Sequence, residues 1–254
     1  MKYSVAFKTI VYKEVRRFTR IWPQTILPPA ITTSLYFLIF GSLIGKRIGD
    51  MNGISYMDYI VPGIILMSVI SNSYSNVVSS FYSTKFQKHI EELLIAPVPN
   101  WVILAGYVSG GVARGTCVGL IVACVSMTFS HFSIERPEIV VSVFFATSLL
   151  FSLAGFINAT FAKSFDDISI IPNFVLTPLT YLGGVFYTID LLPKIWQTLS
   201  LVNPILYMVN AFRYGFFGVS DINILMAFAI ILGFIGLLVA ISLYLLHKGI
   251  GLKT

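Results

Sequence analysis

The 254-residue chain offers few side chains capable of covalent chemistry, and none at a spacing that such chemistry needs. His89, His131 and His247 stand apart, with no second His or Cys at ligand spacing, so no metal site is expected. The nearest approach to a phosphate-binding loop is GSLIGKR at 41–47. It is one residue short between its glycines and puts Arg47 where Ser or Thr would hold magnesium. It also closes an apolar run instead of following a soluble strand. Cys117 and Cys124 fall on one helical face, about 10.5 Å apart along a helix, which is beyond disulfide reach. They read as small apolar residues. No catalytic residue is expected, and the chain does not read as an enzyme.

One side chain inside an apolar run could bind a charged group. Arg114 interrupts the stretch 93–130, and no Asp or Glu lies in any of the long apolar runs. Its partner is then a carbonyl, a lipid phosphate, a loop acid or an anionic substrate. Structural pairing, snorkelling and substrate contact all stay open. Around it Gly111, Gly115, Gly119 and Ala123 repeat every four residues, a small-residue ridge that lets another helix approach closely.

Elements that position such a residue must be membrane helices. The chain is 56% hydrophobic and 11% charged, with a mean hydropathy of +0.85, where a soluble domain carries about a quarter charged residues. These values exclude a water-soluble enzyme and a disordered chain alike. Uncharged runs cover 21–45, 59–84, 139–162, 168–189 and 222–246, each at least 22 residues long. A span needs about 20 apolar residues, and a further span fits within 101–130. Residues 195–212 form a weaker seventh run containing Asn203, Pro204 and Asn210.

Loop charges set the topology. With six spans and both termini cytoplasmic, the inner segments hold eleven Lys and Arg, from Lys2 to Lys253 with Lys85 among them, and the outer segments hold five, Arg213 included. Counting 195–212 as a full span lowers the contrast to ten against six. The positive-inside rule therefore favours six, by a small margin. The Asn and Pro content of 195–212 points the same way, toward a segment that enters from outside and returns, covered by protein. The net charge of +6 is then a topology signal, not a nucleic-acid one. The N-terminus is no secretory signal peptide, because its basic stretch is long and no small-residue cleavage site follows the first apolar run.

Two short helices flank the membrane. Over 4–20, Phe7, Ile10, Val11, Val15, Phe18 and Ile21 share one arc, with Lys8, Lys13, Arg16, Arg17 and Arg20 opposite. Such a helix lies in the interface, held by apolar burial and anionic membrane lipids. Glu14 falls within the apolar arc, either as an i,i+3 partner of Arg17 or as a contact to another protein. Residues 83–95 form the second helix, with Phe86, Ile90, Leu93 and Leu94 in a stripe, and Pro97 ends it. It reads either as a solvated connector or as a helix that docks into a partner's groove. Pro28 and Pro29 in the first span, and Pro172 and Pro178 in the fifth, can kink their helices.

Four segments together resemble the permease subunits of bacterial ABC-2 transporters over nearly the whole chain. They are RIWPQTILPPAITTSLYFLIFGSLIG at 20–45, KFQKHIEELLIAPVP at 85–99, FAKSFDDISIIPNFVLTPLTYLGGVFY at 161–187 and NPILYMVNAFRYGFFG at 203–218. The resemblance implies an all-α polytopic membrane protein of the bacterial inner membrane. Its spans fall at about 21–45, 59–82, 101–130, 139–162, 168–187 and 222–246, within a single transmembrane domain over 1–254. It implies ATPase coupling through the interfacial helix 4–20 and the coupling helix 83–97, with Glu14, Arg17, Phe86, Glu91, Glu92, Leu93, Leu94 and Pro97 in that role. It places Asn203, Pro204 and Arg213 in an extracellular re-entrant segment, 195–218, between spans five and six. It implies a permease homodimer with two ATPase subunits that carry the ATP and magnesium, none bound by this chain. The expected activity is export of an amphipathic, lipid-linked, polysaccharide or drug-like molecule. An ion-coupled carrier or passive channel is the rival reading, and the missing intramembrane acids count against it.

Overall fold

The computed structural model describes residues 2–51 and 53–252; Met1, Asn52, Lys253 and Thr254 lie outside the described residues, so Lys253 of the charge balance has no place below. The chain opens with α1, Lys2–Arg20. α2, Trp22–Tyr36, runs on into wide π-helical turns over Phe37–Ile44 and a last turn, α3, Gly45–Ile48. A two-residue hairpin pairs β1, Asp50–Met51, antiparallel with β2, Ile54–Ser55. There follow α4, Tyr56–Phe86, α5, His89–Ile95, α6, Asn100–Ser126, and α7, Pro137–Phe161. α8, Asp167–Ile171, passes through a π-turn, Pro172–Leu176, into α9, Thr177–Tyr181. The chain ends with α10, Lys194–Val202, α11, Pro204–Phe217, and α12, Ile224–Lys248.

Five helices are long and apolar enough to cross a membrane among the described residues: Trp22–Ile44, α4, α6, α7 and α12. They match five expected spans in place. The expected fifth span, 168–187, differs. Its helix covers only Asp167–Tyr181, which is about 22 Å at 1.5 Å per residue against a hydrocarbon core of about 30 Å. Pro172 and Pro178 explain its irregularity: with donors missing, the Thr177 N–H reaches back five residues to the Pro172 carbonyl. The Thr177 hydroxyl donates to the same carbonyl at 2.9 Å.

α4 is the axis of the bundle. Of its most apolar stretch 78% is buried, against 11% for α12 and 17% for Trp22–Ile44, so α4 is enclosed and the other two are peripheral. α6 and α7 pack along it, and glycine permits their approach. A Cβ on Gly115 would strike the Ser73 hydroxyl and come within 2.8 Å of Ser148 Oγ. On Gly119 it would meet Val69 and Phe144, each at 2.6 Å. The expected ridge therefore faces α4 and α7 together. Ser73 and Ser148 bridge those two helices with a hydroxyl pair at 2.8 Å.

The expected helix 83–97 is divided. α4 runs on through Phe86, and Lys88, at φ 60°, turns the chain into the separate α5. Phe86 thus sits on a different helix from Leu93 and Leu94, and the single apolar stripe does not form. Lys85, counted above as a loop charge, is buried in the last turn of α4. Its Nζ donates to the Thr160 and Ala162 carbonyls, both at 2.7 Å, and so satisfies the carbonyl end of α7.

If α6 packing limits the fold, a side chain at Gly115 and one at Gly236 must act very differently, since nothing lies within 4 Å of a Cβ at Gly236. Gly115→Val is expected to cost about 3 kcal/mol through overpacking and Gly236→Val to stay within about 0.5 kcal/mol. Thermal denaturation of the detergent-solubilised protein, followed by size-exclusion chromatography, measures both.

Candidate functional site

The end of the bundle where α4 and α7 finish carries α1 and α5. α1 presents Ile10, Glu14 and Phe18, one per turn, as its buried face. Gly106 and Gly110 of α6 make room for it, since Cβ atoms there would lie 2.6 Å from Ile10 Cγ2 and 2.5 Å from Glu14 Cβ. The helix is therefore docked on α6 along this stripe and is not simply afloat in the interface. Tyr107 and Thr84 extend the seam: Tyr107 Oη donates to Thr84 Oγ1 at 3.1 Å, and Lys13 Nζ reaches the same oxygen at 3.5 Å.

Glu14 faces inward, and of its two readings the i,i+3 pairing with Arg17 is the one the structure shows. The residue is fully buried. Its Oε1 accepts from Ser80 Oγ at 2.5 Å, and its Oε2 lies 3.6 Å from Arg17 Nη2. Arg17 in turn donates to the Asn76 carbonyl and side-chain oxygens, both at 2.8 Å. Burial holds the Glu14 carboxyl above the usual carboxylate range, with Arg17, Ser80 and Lys13 pulling the other way. Arg114, one turn beyond Gly110, makes no hydrogen bond or ion pair among the described residues, and its Nε is buried without a partner.

α5 offers the exposed surface. Ile90 is buried and anchors the helix, while Leu93 and Leu94 are half-buried against the core. Glu91, Glu92 and Pro97 are exposed, and Ile95 is 86% exposed. α5 thus exposes an acidic, apolar-tipped face at this end of the bundle.

A second feature lies between α4 and the kinked α8–α9. A cleft of about 220 Å³ is lined by Ser71, Tyr74, Ser75, Asn173, Thr177 and Thr180, without a formal charge. Asn173, Thr177 and Tyr181 repeat every four residues on an exposed face, and Tyr181 Oη lies 3.3 Å from Tyr36 Oη of α2. Polar groups in such a row are costly against lipid, so the face is suited to water or protein.

At the opposite end, the segment expected over 195–218 is a broken pair of helices. α10 is mostly exposed and α11 is buried on nearly every side. Asn203 makes the break, accepting from Ile205 N at 3.0 Å and donating to the Leu179 carbonyl at 2.6 Å. Pro204 follows at the first position of α11, where its missing donor costs nothing. Arg213 is 1% exposed, not an outer loop charge. Its Nη2 donates to the Gly184 carbonyl at 2.7 Å, and its guanidinium sits 3.8 Å from the Tyr59 ring centroid. The signature residues therefore clamp α11 to α9, to the turn at Gly184 and to α4. Tyr59, Gly106 and Gly110 escaped the sequence reading. The four-residue spacing of the two glycines was a usable signal, whereas nothing near Tyr59 marks it.

Residues 5–217 match the ABC-2 type transporter family. The chain is 56% identical over 252 residues to the inner membrane transport permease YadH of Escherichia coli (strain K12), covering 99% of this chain and 98% of that one. It is 21% identical over 208 residues to nodulation protein J of Neorhizobium galegae, with 81% and 79% covered. The nodulation protein J of Rhizobium leguminosarum bv. viciae is 21% identical over 220 residues, with 84% and 83% covered.

The folded chain holds the Glu14 proton more tightly than the unfolded chain does. The associated stabilisation is complete below the ordinary value of 4.5 and is lost as pH rises through the higher folded value. The melting temperature of the wild type relative to Glu14→Gln is therefore expected to fall as pH rises above 4.5; thermal unfolding over a rising pH series checks it. Arg213→Ala is expected to lose about 2 kcal/mol by orphaning the Gly184 carbonyl and uncovering Tyr59, read in the same assay at fixed pH.

Proposed function

The chain belongs to the ABC-2 type transporter family, and on that premise we propose that it is the permease subunit of an ATP-binding-cassette exporter. It sits in the bacterial inner membrane with both termini cytoplasmic, and it binds no ATP itself. A separate ATPase subunit, in two copies, carries the nucleotide and magnesium. The observation that carries this reading is α5: a short acidic helix, anchored by Ile90, that exposes Glu91, Glu92 and Ile95 at the end of the enclosed α4. A buried anchor with an exposed acidic tip is a shape for docking into a partner's groove. α1 stands at the same end of the bundle and is braced to α4 through Arg17 and Asn76.

Six crossings are completed when α8–α9 is joined by 182–187, with α10 and α11 as the re-entrant segment covering that stretch. Two copies would meet along Trp22–Ile44 and α8–α9, whose faces are largely uncovered and carry the row of Asn173, Thr177 and Tyr181. The uncharged, hydroxyl-lined cleft beside that row supports a path for an amphipathic or polysaccharide-like molecule over one for a simple ion. Nucleotide-driven closure of the ATPase would move α5 and, through the rigid α4, shift α8–α9. The wide turns in both kinked helices supply the compliance. Such a shift needs the ATPase to bind the two arrangements with different affinity.

Replacing Glu91 and Glu92 together with lysine reverses the charge of the exposed tip while leaving Ile90 in place. The expected result is at least a tenfold loss (about 1.4 kcal/mol or more) of ATPase co-purification and of permease-stimulated ATP hydrolysis, with unchanged thermal stability. Unchanged association and hydrolysis would sink the coupling role, and transport sustained by an ion gradient alone would replace it with a carrier.

A further inference from the structure

A cavity of about 560 Å³ opens between the ends of α4 and α7, and of the residues expected to couple to the ATPase only Phe86 lines it. Its walls include three lysines, Lys85, Lys88 and Lys163, and three rings, Tyr82, Phe86 and Phe161. Lys85 is buried, and its Nζ is committed to the two α7 carbonyls at 2.7 Å, with no carboxylate on it. Lys88 and Lys163 are exposed and make no ion pair among the described residues. Of the two acids nearest Lys163 in sequence, Asp166 makes no ion pair with it among the described residues, and Asp167, though its charge is felt by Lys163, spends its Oδ2 on the backbone N–H groups of Lys163 and Ser164, at 2.8 and 3.1 Å. Three ammonium groups therefore share one opening with no acid bound to any of them.

The apolar part of the wall is equally unusual. Phe86 is 63% and Phe161 55% exposed. Phe165 joins Tyr82 and Phe86 in edge-on contacts, with centroids 4.9 and 5.2 Å apart. Lys88, the one left-handed residue other than glycine among the described residues, turns the chain here and keeps its side chain on the rim. A cationic rim over an apolar, aromatic interior matches an amphiphile with an anionic head. A free phosphate would use the lysines and leave the rings unoccupied.

We propose that this cavity binds one anionic phospholipid, its phosphate at Lys88 and Lys163 and its acyl chains against Phe86 and Phe161. Lys85, locked on the end of α7, adds to the field and keeps the two helix ends together. Basic pockets at the ends of membrane helices recognise such headgroups, each lysine adding to the attraction. Assignment to the cytoplasmic leaflet rests on the proposed orientation; the binding itself does not.

Native mass spectrometry of the full chain tests this, with phosphatidylglycerol, phosphatidylcholine or inorganic phosphate as the probe. The expected result is one retained phosphatidylglycerol per chain and about tenfold weaker retention of phosphatidylcholine. Lys88→Gln with Lys163→Gln is expected to lower phosphatidylglycerol retention about tenfold or more. Lys194→Gln, exposed on α10 at the opposite end of the bundle, leaves it unchanged. Lys85 is left intact because its loss would release the α7 carbonyls. Equal retention by the lysine double variant, equal binding of phosphatidylcholine, or displacement of the lipid by inorganic phosphate at matched concentration would each overturn the proposal. So would a co-purified ATPase that excludes the lipid from every complex, since the cavity would then be a protein-docking surface. The Glu91, Glu92 variant keeps its lipid, which separates failure here from failure of the coupling role.

Discussion

Backbone approach along α6 is the constraint on which the rest of the molecule depends. Inside a bilayer, apolar side chains gain little by leaving lipid for protein, so helices hold together through contact and hydrogen bonds. α6 supplies two glycine series for this. Gly106 and Gly110 admit α1, and Gly111, Gly115 and Gly119 admit α4 and α7. Because those distances are short, small hydroxyls can act between helices, as Ser73 and Ser148 do at 2.8 Å. The same closeness encloses Glu14, which has Ser80 and Arg17 as its partners in place of water.

That packing divides the chain into a stiff part and a compliant part. α1, α4, α6 and α7 interlock, with Lys85 tying the end of α4 to the end of α7. α2 packs on α6 along one side, α8–α9 touches α4 and α7 more sparsely, and each carries a stretch of π-helical turns, over Phe37–Ile44 and Pro172–Leu176. The hydroxyl-lined cleft lies at the boundary between the two parts, with α4 as one wall and α8–α9 as the other. A displacement of the compliant helix relative to the stiff one changes this cleft first. Arg213 and Asn203 set the other limit, because they bind α11 to the turn at Gly184 and to the end of α9.

Much of this was legible in the residues. Long uncharged runs gave the apolar helices, and the repeat at Gly111, Gly115 and Gly119 disclosed the tight seam, because both signals are local and periodic. The buried face of α1 was visible as an arc, but its periodicity could not say what lay opposite. Glu14 finds Ser80 only 66 positions along the chain, so its inward role was hidden. Lys85 and Arg213 were read as loop charges because a charge count weighs each cation alike. Neither the α7 carbonyls beside Lys85 nor the Tyr59 ring beneath Arg213 leaves a mark near it in the chain. Helix ends were equally obscure. Lys88 is an ordinary residue in sequence, and only its left-handed backbone divides α4 from α5.

The short helix Asp167–Tyr181 has a consequence for the membrane itself. Its helical length of about 22 Å meets a hydrocarbon layer of about 30 Å. Other helices are longer, with 31 residues in α4 and 25 in α12. Where α8–α9 forms the crossing proposed above, lipid beside its helical part is under hydrophobic mismatch and thins locally, while lipid around α12 keeps its full depth. A bilayer of shorter acyl chains relieves that mismatch and a longer one raises it. Membrane thickness thus becomes a variable acting on the kinked side of the molecule and leaving the opposite side almost untouched.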